Sequence, residues 1–357
     1  MNLRARCRVI ILFAQMLAGV CTVDAANASE TKVPEVRVTD VRRVFHNGEH
    51  NAFTDLIRFR DRFYLTFRSC PDGHSVHPTS SIIVLESVDA RTWRPVHRFS
   101  VPKRDTRDPH FLAFKGKLFI YTGTWYCGDS APEVYEFNQH LGYASWTTDG
   151  GTWSKPTMLE GTYGHYIWRA AAHNGTAYLC GRRKREFAET PRNIRSDVES
   201  AMLASDDGLI WRTRALFQTT HGNEAAFLFE PDGSVLAVAR FTLDNSQLCR
   251  SKPPYSEWRR TDLHRFIGGP LLTRWGGRYL VGGRKTTGQR PKTTLSWLVE
   301  GKLQDFAVLP SDGDNSYPGF VELGPTRALV SWYSSHEQDD SGKTITAIYL
   351  ADLEVAE

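Results

Sequence analysis

The chain has few cysteines, no apolar stretch long enough to cross a bilayer, and almost no net charge. Only six of its 357 residues are cysteine, and Lys plus Arg exceed Asp plus Glu by four. The apolar run at residues 9–20 contains 12 residues, whereas a membrane-spanning helix needs about 20. We therefore expect no membrane span. Nucleic acid is a poor candidate partner, because phosphate backbones are bound by an excess of positive charge.

The N-terminus has the layout of a secretory signal peptide. Three arginines precede the apolar run, and the small-residue segment 26–28 follows it. We predict a signal peptide at residues 1–28, a single domain at residues 29–357, and a secreted or periplasmic location. Removal of the signal peptide takes away three Arg and one Asp and lowers the formal charge from +4 to +2. Because export permits disulfides, Cys70 and Cys127 could pair.

One turn pattern occurs three times, at residues 87–93, 147–153 and 205–211. It consists of a hydroxyl residue, an Asp two positions later, usually a Gly, and a final Trp. In such a turn the carboxylate binds backbone N–H groups and the indole covers the edge of a sheet. The copies start 60 and 58 residues apart, and repetition at a long period predicts a repeat architecture. We interpret the turns themselves as structural.

Six pairs of apolar strands joined by short polar turns make a second repeat. They are predicted at residues 56–68, 111–123, 171–182, 227–240, 271–284 and 320–333. Asn-Gly, Asp-Gly and Gly-Gly between apolar runs are strong hairpin signals. The turns lie 44 to 59 residues apart, a spacing that suits one four-stranded sheet per hairpin. The predicted fold class is therefore all-β, a six-bladed β-propeller.

The two ends of the chain predict how the ring closes. After the sixth hairpin, residues 343–355 suffice for a third strand but not comfortably for a fourth. Residues 36–45 can supply the missing outer strand, so an N-terminal strand would close the propeller. A β-sandwich is the alternative, but it explains neither the Trp-ended turns nor the long period.

One mouth of the predicted channel collects charged and aromatic side chains. The start of the first strand and the end of the second lie at the same end of a hairpin, so these positions converge from all six blades. They are Asp55, Asp108, His110, Trp168, Arg169, Glu224, Gly269 and Tyr317 at the starts, and Arg68, Thr122, Arg182, Arg183, Arg240, Arg284 and Tyr333 at the ends. Clustered arginines repel one another unless an anion lies between them, and their forks match carboxylates. This pattern indicates a carboxylated ligand.

The turns and the mouth residues together resemble those of the sialidases, whose six-bladed propellers carry the same turns, known as Asp boxes. The matching residues are a Glu early in one blade (Glu224), an Arg ending that hairpin (Arg240), a later Arg (Arg284), and a Tyr opening the final blade (Tyr317). The resemblance implies that Tyr317 is the nucleophile, Glu224 its base, and the arginines a carboxylate clamp. Asp72, in a loop upstream of the first Asp box, matches the family's acid/base residue.

Substrate chemistry explains why a tyrosine would serve as nucleophile. A carboxylate beside the anomeric carbon repels an anionic nucleophile, so a neutral phenol activated by a carboxylate is preferred. The resemblance therefore implies an exo-glycoside hydrolase that acts on an acidic glycan and uses no cofactor.

The first blade departs from the family pattern. Sialidases open it with Arg-Ile-Pro, whose Arg is one of three that bind the substrate carboxylate, whereas residues 50–55 read His-Asn-Ala-Phe-Thr-Asp. We expect either that Arg68 or His50 replaces this Arg, or that the ligand is another acidic sugar, such as a uronic or sulfated one. Asp55 and Asp108, which open the first two hairpins, complete the predicted substrate-binding set.

Three other functions remain open, one of them a propeller that serves only as an interaction scaffold at the cell surface. The segment 106–109, Thr-Arg-Asp-Pro, resembles the Arg-Asp-Pro segment of furanosidases, in which the Asp stabilises the transition state. Asp108 and Glu224 would then form a two-carboxylate pair. A non-catalytic glycan-binding propeller would use the same arginines and aromatic residues, but it would not need Tyr317 and Glu224 together.

Two pairs of histidines are candidate metal ligands only under one condition. His46 and His50 are four residues apart, and His74 and His77 are three apart. In a loop, such pairs bind a metal ion only if a third ligand converges. We therefore predict no metal site, and we leave the oligomeric state open.

Overall fold

Antiparallel strands form six four-stranded sheets. The computed structural model describes residues 33–356 apart from residues 192, 243, 288 and 289, and the predicted signal peptide lies outside them. Blade 1 contains β2 (His50–Phe59), β3 (Arg62–Cys70), β4 (Ser81–Ser87) and β5 (Arg94–Phe99). Blade 2 contains β6 (Arg104–Phe114), β7 (Lys117–Tyr126), β8 (Leu141–Thr147) and β9 (Thr157–Met158). Blade 3 contains β10 (Tyr166–His173), β11 (Thr176–Lys184), β12 (Val198–Ser205) and β13 (Arg212–Gln218). Blade 4 contains β14 (Gly222–Phe229), β15 (Val235–Phe241), β16 (Gln247–Ser251) and β17 (Arg259–Asp262). Blade 5 contains β18 (Gly268–Trp275), β19 (Arg278–Thr287), β20 (Arg290–Val299) and β21 (Lys302–Val308). Blade 6 contains β22 (Asn315–Gly324), β23 (Arg327–Gln338), β24 (Thr344–Val355) and β1 (Val36–Phe45). Within the described residues, no helix is both long and apolar enough to cross a membrane.

The blades form a closed ring in chain order. Each innermost strand contacts the innermost strand of the next blade, and β22 of blade 6 contacts β2 of blade 1. Five hairpin turns lie where the sequence predicts them, and the sixth, predicted at residues 324–325, lies one residue later, at residues 325–326. Strand β1 pairs with β24, with Val36 opposite Val355. The prediction of a six-bladed propeller closed by an N-terminal strand is confirmed.

The three Asp-containing turns connect the third and fourth strands of blades 1 to 3. In the first, Ser87 Oγ donates a hydrogen bond to Asp89 Oδ1 over 2.9 Å, and two backbone N–H groups donate to the same oxygen over 2.8 and 2.9 Å. Asp149 and Asp207 repeat this arrangement. Because these turns lie at the ends of the strands away from the mouth, they stabilise the blades and take no part in the site.

Every innermost strand carries a β-bulge near its start. The bulged residues, two opposite one on the second strand, are 53–54, 108–109, 168–169, 223–224, 269–270 and 317–318. A bulge re-aims side chains out of the regular ladder. Phe53, Asp108, Gly269 and Tyr317 have φ angles of 63, 53, 58 and 50° in these bulges. The bulges of every second blade, 2, 4 and 6, contain Asp108, Glu224 and Tyr317, respectively.

Arg169 joins several blades around the channel. Its Nη1 forms an ion pair with Asp55 Oδ1 at 2.8 Å. Its Nε donates to the carbonyl of Pro270 over 3.1 Å, and its Nη2 donates to that of Pro318 over 2.7 Å. The other carboxylate oxygen of Asp55 accepts the backbone N–H of Phe111 over 2.9 Å. These contacts connect blades 1, 2, 3, 5 and 6, so Asp55 has a structural role and does not face the cavity described below.

We expect Arg169→Met to lower the free energy of unfolding by about 3–5 kcal/mol, because it leaves the buried carboxylate of Asp55 without its guanidinium partner. Urea unfolding followed by tryptophan fluorescence measures the change. The matched control is Arg212→Met, which removes an exposed ion pair with Asp206 and should cost less than about 1 kcal/mol. Equal losses in the two variants would contradict this role for Arg169.

Cys70 and Cys127 are not joined in the structure, where both are buried free thiols, as are Cys180 and Cys249. Burial raises the pKa of the Cys127 thiol to about 11 and those of Cys180 and Cys249 to about 12. The pairing that export would permit is therefore absent, and these cysteines act as small core residues.

Candidate active site

A cavity of about 550 Å³ opens at the mouth where the first strands start and the second strands end. Its charged lining comprises Arg107, Arg182, Arg195, Arg240, Arg284, Asp108 and Glu224. A groove of about 760 Å³ lies at the opposite ends of the strands, around Val235, Ser251 and Trp258, away from these side chains. The convergence of charged strand-end residues places the candidate site in the first cavity.

Tyr317 and Glu224 form a short hydrogen bond in this cavity. The phenol of Tyr317 donates to Glu224 Oε1 over 2.5 Å, and both side chains are buried. Arg240 Nη1 donates to the same oxygen over 3.2 Å, and the backbone N–H of Gly269 donates to Oε2 over 2.7 Å. Three donors therefore fix the orientation of the Glu224 carboxylate.

The two partners have clearly different protonation states. Burial and the nearby carboxylates of Asp108 and Glu224 raise the pKa of Tyr317 well above its ordinary value. Burial alone would also raise the pKa of Glu224, but the positive charge of Arg240 and the hydrogen bond from Tyr317 bring it below its ordinary value. A neutral phenol therefore faces an ionised carboxylate, the arrangement in which the carboxylate can accept the phenol proton.

Gly269 allows Tyr317 and Glu224 to meet. It has a φ of +58°, a conformation that other residues rarely adopt. A Cβ atom at this position would lie 2.5 Å from Tyr317 Cδ2. Any larger residue would therefore displace the phenol ring.

We expect Gly269→Ala to reduce turnover about 100-fold, because a displacement of about 1 Å at a reacting group can have that effect. Initial-rate measurements on a panel of candidate substrates provide the test. Gly277→Ala is the control, since Gly277 also has a positive φ, +78°, but no atom lies within 4 Å of the added Cβ. If both variants kept parental rates, Gly269 would have no part in positioning Tyr317.

Asp108 is held in the cavity with one oxygen unsatisfied. Its Oδ2 accepts hydrogen bonds from Tyr166 Oη over 2.6 Å and Trp168 Nε1 over 3.0 Å. Its Oδ1 is buried and has no hydrogen-bond partner. Burial raises the pKa of Asp108 above its ordinary value, although the positive charge of Arg107 partly offsets the effect. Asp108 is thus a carboxyl group suited to giving a proton to a bound molecule.

Arg240 and Arg284 keep donors available for an anion. Arg240 bonds Glu224 and, through Nε, the carbonyl of Thr242 over 3.0 Å. Arg284 donates through Nη1 to the carbonyl of Asn315 over 3.2 Å. Among the described residues, Nη2 of both arginines lacks a hydrogen-bond partner. The structure places these two predicted clamp arginines together in the cavity lining.

Arg68 is not brought into the cavity. It is completely buried, and its Nε and Nη2 bind the carboxylate of Asp105 at 2.9 and 3.2 Å. Its Nη1 and Nη2 also donate to the carbonyls of Gly73 and Ser75. Because its donors are used internally, Arg68 supports the loop whose residues 74–76 line the cavity and does not replace the missing clamp Arg.

Asp72 also lies outside the cavity lining. Its Oδ2 accepts a hydrogen bond from Thr79 Oγ1 over 2.6 Å and lies 3.0 Å from His77 Nδ1. Besides Glu224, the carboxyl group that shares the cavity with Tyr317 is Asp108. The loop position that suggests Asp72 as acid/base residue does not bring it to the nucleophile candidate.

His50 belongs to a cluster beside the cavity. Its Nε2 lies 2.9 Å from Asp314 Oδ2, and His74 Nδ1 lies 2.6 Å from the same oxygen. One histidine from each predicted pair thus converges with a carboxylate, and their ligand atoms lie within 4.8 Å of one another. These groups could hold a metal ion, although Arg284 Nη1 adds a positive charge 3.6 Å from Asp314 Oδ1. The predicted contact of His50 with substrate is replaced by this contact with Asp314.

The sequence places Arg182 at the mouth without assigning it a role, and it assigns none to Arg107 or Asp314. Arg107, on blade 2, lies over the ring of Phe53 at 4.8 Å. Phe53 belongs to blade 1, the blade that lacks the clamp arginine of the sialidases. Arg182 ends a hairpin just as Arg240 does, so the strand-end rule contains its signal. Asp314 precedes the segment that carries Tyr317, but no pattern in the sequence pairs it with histidines from blade 1.

Comparisons with known proteins place the fold but not the activity. No protein-family model matches the sequence, and no curated protein matches it. A solved protein of unknown function from Dyadobacter fermentans is similar in structure, with a TM-score of 0.72 and 21% identity, over 91% of this chain and 100% of that chain.

Glycoside hydrolases are also among the structural neighbours. A Trypanosoma rangeli sialidase in complex with the inhibitor DANA has a TM-score of 0.62 and 12% identity over 85% of this chain, which spans about half (55%) of that enzyme. An α-L-arabinofuranosidase from Fusarium graminearum has a TM-score of 0.57 and 13% identity, over 84% of this chain and 92% of that chain. The chain is therefore a six-bladed propeller whose structural neighbours include sialidases and a furanosidase.

Proposed function

We propose that this protein is an exo-acting glycoside hydrolase that releases an acidic sugar, with Tyr317 as its nucleophile. The proposal rests on the 2.5 Å hydrogen bond between Tyr317 Oη and Glu224 Oε1 inside a cavity lined by arginines. A binding protein would not need a neutral phenol aligned on an ionised carboxylate. The glycoside hydrolases among the structural neighbours support the same class of chemistry.

The reaction follows from the proton positions. In the first step, Tyr317 Oη attacks the anomeric carbon while Glu224 takes the phenol proton. The bond to the leaving oxygen breaks, and Asp108 gives that oxygen its proton. In the second step, water attacks the anomeric carbon and gives a proton to the ionised Asp108, the bond to Tyr317 breaks, and Glu224 returns the proton to the phenolate. Two displacements at one carbon retain its configuration.

The arginines would hold the carboxylate of the substrate. Arg240 and Arg284 offer free N–H groups on neighbouring blades, and Arg107 adds positive charge on the side of the first blade. A substrate carboxylate bound there would repel an anionic nucleophile. The raised pKa of Tyr317 keeps its phenol neutral, which suits an acidic substrate. Asp108 takes the acid/base role that the sequence suggests for Asp72.

A furanosidase-like reaction is the second candidate. The observation that favours it is the unsatisfied, buried Oδ1 of Asp108, since Asp108 could act with Glu224 as a carboxylate pair without Tyr317. We prefer the first proposal because Glu224 already binds the Tyr317 phenol and Arg240.

A panel of aryl glycosides tests the proposal: sialic acid, glucuronic acid, rhamnose and arabinofuranose. We expect release only from the acidic glycosides. Release from the arabinofuranoside alone would favour the second candidate. Binding of acidic sugars without any release would indicate a glycan-binding propeller and overturn the proposal.

We also propose that the protein acts after export, on glycans outside the cytoplasm. The basis is the N-terminal sequence pattern of residues 1–28. Mass spectrometry of the N-terminus of protein recovered from its producing cells tests it, and an N-terminus at Met1 would contradict it.

A further inference from the structure

Arg182 is a buried guanidinium without an acidic partner. It lines the cavity but is only 8% exposed. Its Nη1 donates to Asn223 Oδ1 over 3.4 Å, and its Nε is buried without a hydrogen-bond partner. None of the ion pairs among the described residues includes it. A buried charge in this condition is costly unless a bound group supplies the missing acceptor.

Aromatic rings surround this guanidinium. The Cζ atom of Arg182 lies 4.5, 5.1, 5.5 and 6.0 Å from the ring centres of Phe137, Trp168, Tyr166 and Trp125, respectively. Cation–π attraction offsets part of the desolvation, but ring faces accept no strong hydrogen bonds. Burial lowers the pKa of Arg182 to about 10, so the side chain remains charged at neutral pH.

Arg182 begins a run of four basic residues, 182–185, and its three neighbours in this run do have partners. Arg183 and Arg185 both bind Glu199, at 3.0 and 3.3 Å. Lys184 donates to Thr190, to its carbonyl oxygen over 3.0 Å and to its hydroxyl over 2.5 Å. In this run, only Arg182, the side chain that lines the cavity, has neither an acidic partner nor an acceptor for its buried Nε–H.

Arg182 lies apart from the clamp at Arg284. Its aromatic neighbours come from blades 2 and 3, whereas Arg284 comes from blade 5 and the phenol of Tyr317 from blade 6. In a closed ring of six blades, blade 3 faces blade 6 across the channel. Arg182 therefore lies across the cavity from Tyr317.

We propose that Arg182 and Asn223 form a second anion-binding position, so that the substrate is a saccharide with two acidic groups. The first, a carboxylate, binds at Arg240 and Arg284, an assignment that rests on the proposed function. The second, a carboxylate or a sulfate ester, binds at Arg182. A carboxylate is planar and a sulfate ester is tetrahedral, but both present anionic oxygens that a guanidinium binds through paired hydrogen bonds.

Nuclear magnetic resonance of protein labelled with ¹⁵N in its arginine side chains tests the proposal without requiring turnover. The Nε–H signal of Arg182 is assigned by its loss in Arg182→Met. Sodium sulfate and sodium glucuronate are then titrated at constant ionic strength, with sodium chloride as the balance. We expect at least one of them to shift the signal saturably, and to do so equally well in Arg284→Met. The anion that saturates at the lower concentration identifies the source, ester sulfate or carboxylate.

Two results would overturn the proposal: no saturable shift with either anion, or a shift that disappears in Arg284→Met, which would mean a single shared clamp. Failure of the hydrolase proposal leaves this binding result unchanged, so the two failures are distinguishable.

Thermal unfolding separates ligand binding from a structural role. Arg182→Met removes a charge that lacks an acidic partner and should leave the melting temperature unchanged or raise it in the absence of added anions. Arg68→Met is the matched control, since it breaks the buried pair with Asp105, and should lower the melting temperature by roughly 5–10 °C. A similar fall in Arg182→Met would mean that Arg182 holds the fold and would contradict the proposal.

Discussion

Replacement of Tyr317 by Phe should reduce glycoside hydrolysis by at least about 1,000-fold, the scale seen when a nucleophile is removed from an enzyme. The phenol oxygen is the atom that attacks, and a phenylalanine ring keeps the packing of the buried ring with Phe53, whose centre lies 4.9 Å away. Glu224→Gln should cause a comparable loss, because the amide cannot take the phenol proton. Initial rates on the best glycoside of the panel, with circular dichroism to check folding, provide the measurement.

Tyr333→Phe is the control for this experiment. Tyr333 is buried in the same lining, with its ring centre 6.2 Å from that of Tyr317, and its phenol also binds a carboxylate, Asp314 Oδ1, over 2.9 Å. We expect its loss to reduce turnover by less than about 10-fold, because its hydrogen bond to the Asp314 carboxylate involves no reacting group and contributes mainly to stability, by about 1.5–3 kcal/mol. Loss of activity in Tyr333→Phe with retention in Tyr317→Phe would move the nucleophile to the second tyrosine.

Asp108→Asn should reduce hydrolysis by about 100- to 10,000-fold on substrates with poor leaving groups, the usual contribution of a general acid. Burial raises the pKa of Asp108, so the proton needed by the leaving oxygen is retained above the ordinary carboxyl range. Activity of the parent should therefore fall as pH rises through the raised pKa of Asp108. In Asp108→Asn this alkaline decline should disappear, and nitrophenyl glycosides, whose leaving groups need no proton, should be affected less.

Asp72→Asn is the matched control, because Asp72 is the acid/base residue that the sequence suggests. It lies outside the cavity, paired with His77 and Thr79, so we expect nearly parental rates and an unchanged pH profile. The opposite pattern, a loss in Asp72→Asn with an unaffected Asp108→Asn, would return the acid/base role to Asp72.

The sequence predicts the architecture well because local signals determine it. The paired apolar runs around Asn174-Gly175 and Asp232-Gly233 specify hairpins independently of their surroundings. The strand at 36–45 follows from counting strands at the two ends of the chain. Hairpin geometry then predicts which residues reach the mouth, and it brings Glu224 and Tyr317 into one cavity although they lie 93 residues apart.

The sequence predicts side-chain partners much less well, because these depend on contacts between blades. Arg68 stands at a strand end like Arg240, but Asp105 of the next blade takes its guanidinium. Arg182 stands at an equivalent position but contacts aromatic rings and Asn223, and no carboxylate pairs with it. Asp72 is near the first turn repeat in sequence, yet the bulge at Asp108 reaches the cavity. Only the packed ring distinguishes arginines with internal partners from those open to a ligand.

Detection of a glycosyl adduct on Tyr317 tests the central claim most directly. The parent protein is incubated with a fluorinated glycosyl fluoride of the sugar that the panel identifies, which slows the second displacement, then quenched with acid and digested for peptide mass spectrometry. We predict one added glycosyl group on the peptide containing Tyr317, and none in Tyr317→Phe. An adduct on Glu224, or hydrolysis with inverted configuration and no adduct, would contradict the account.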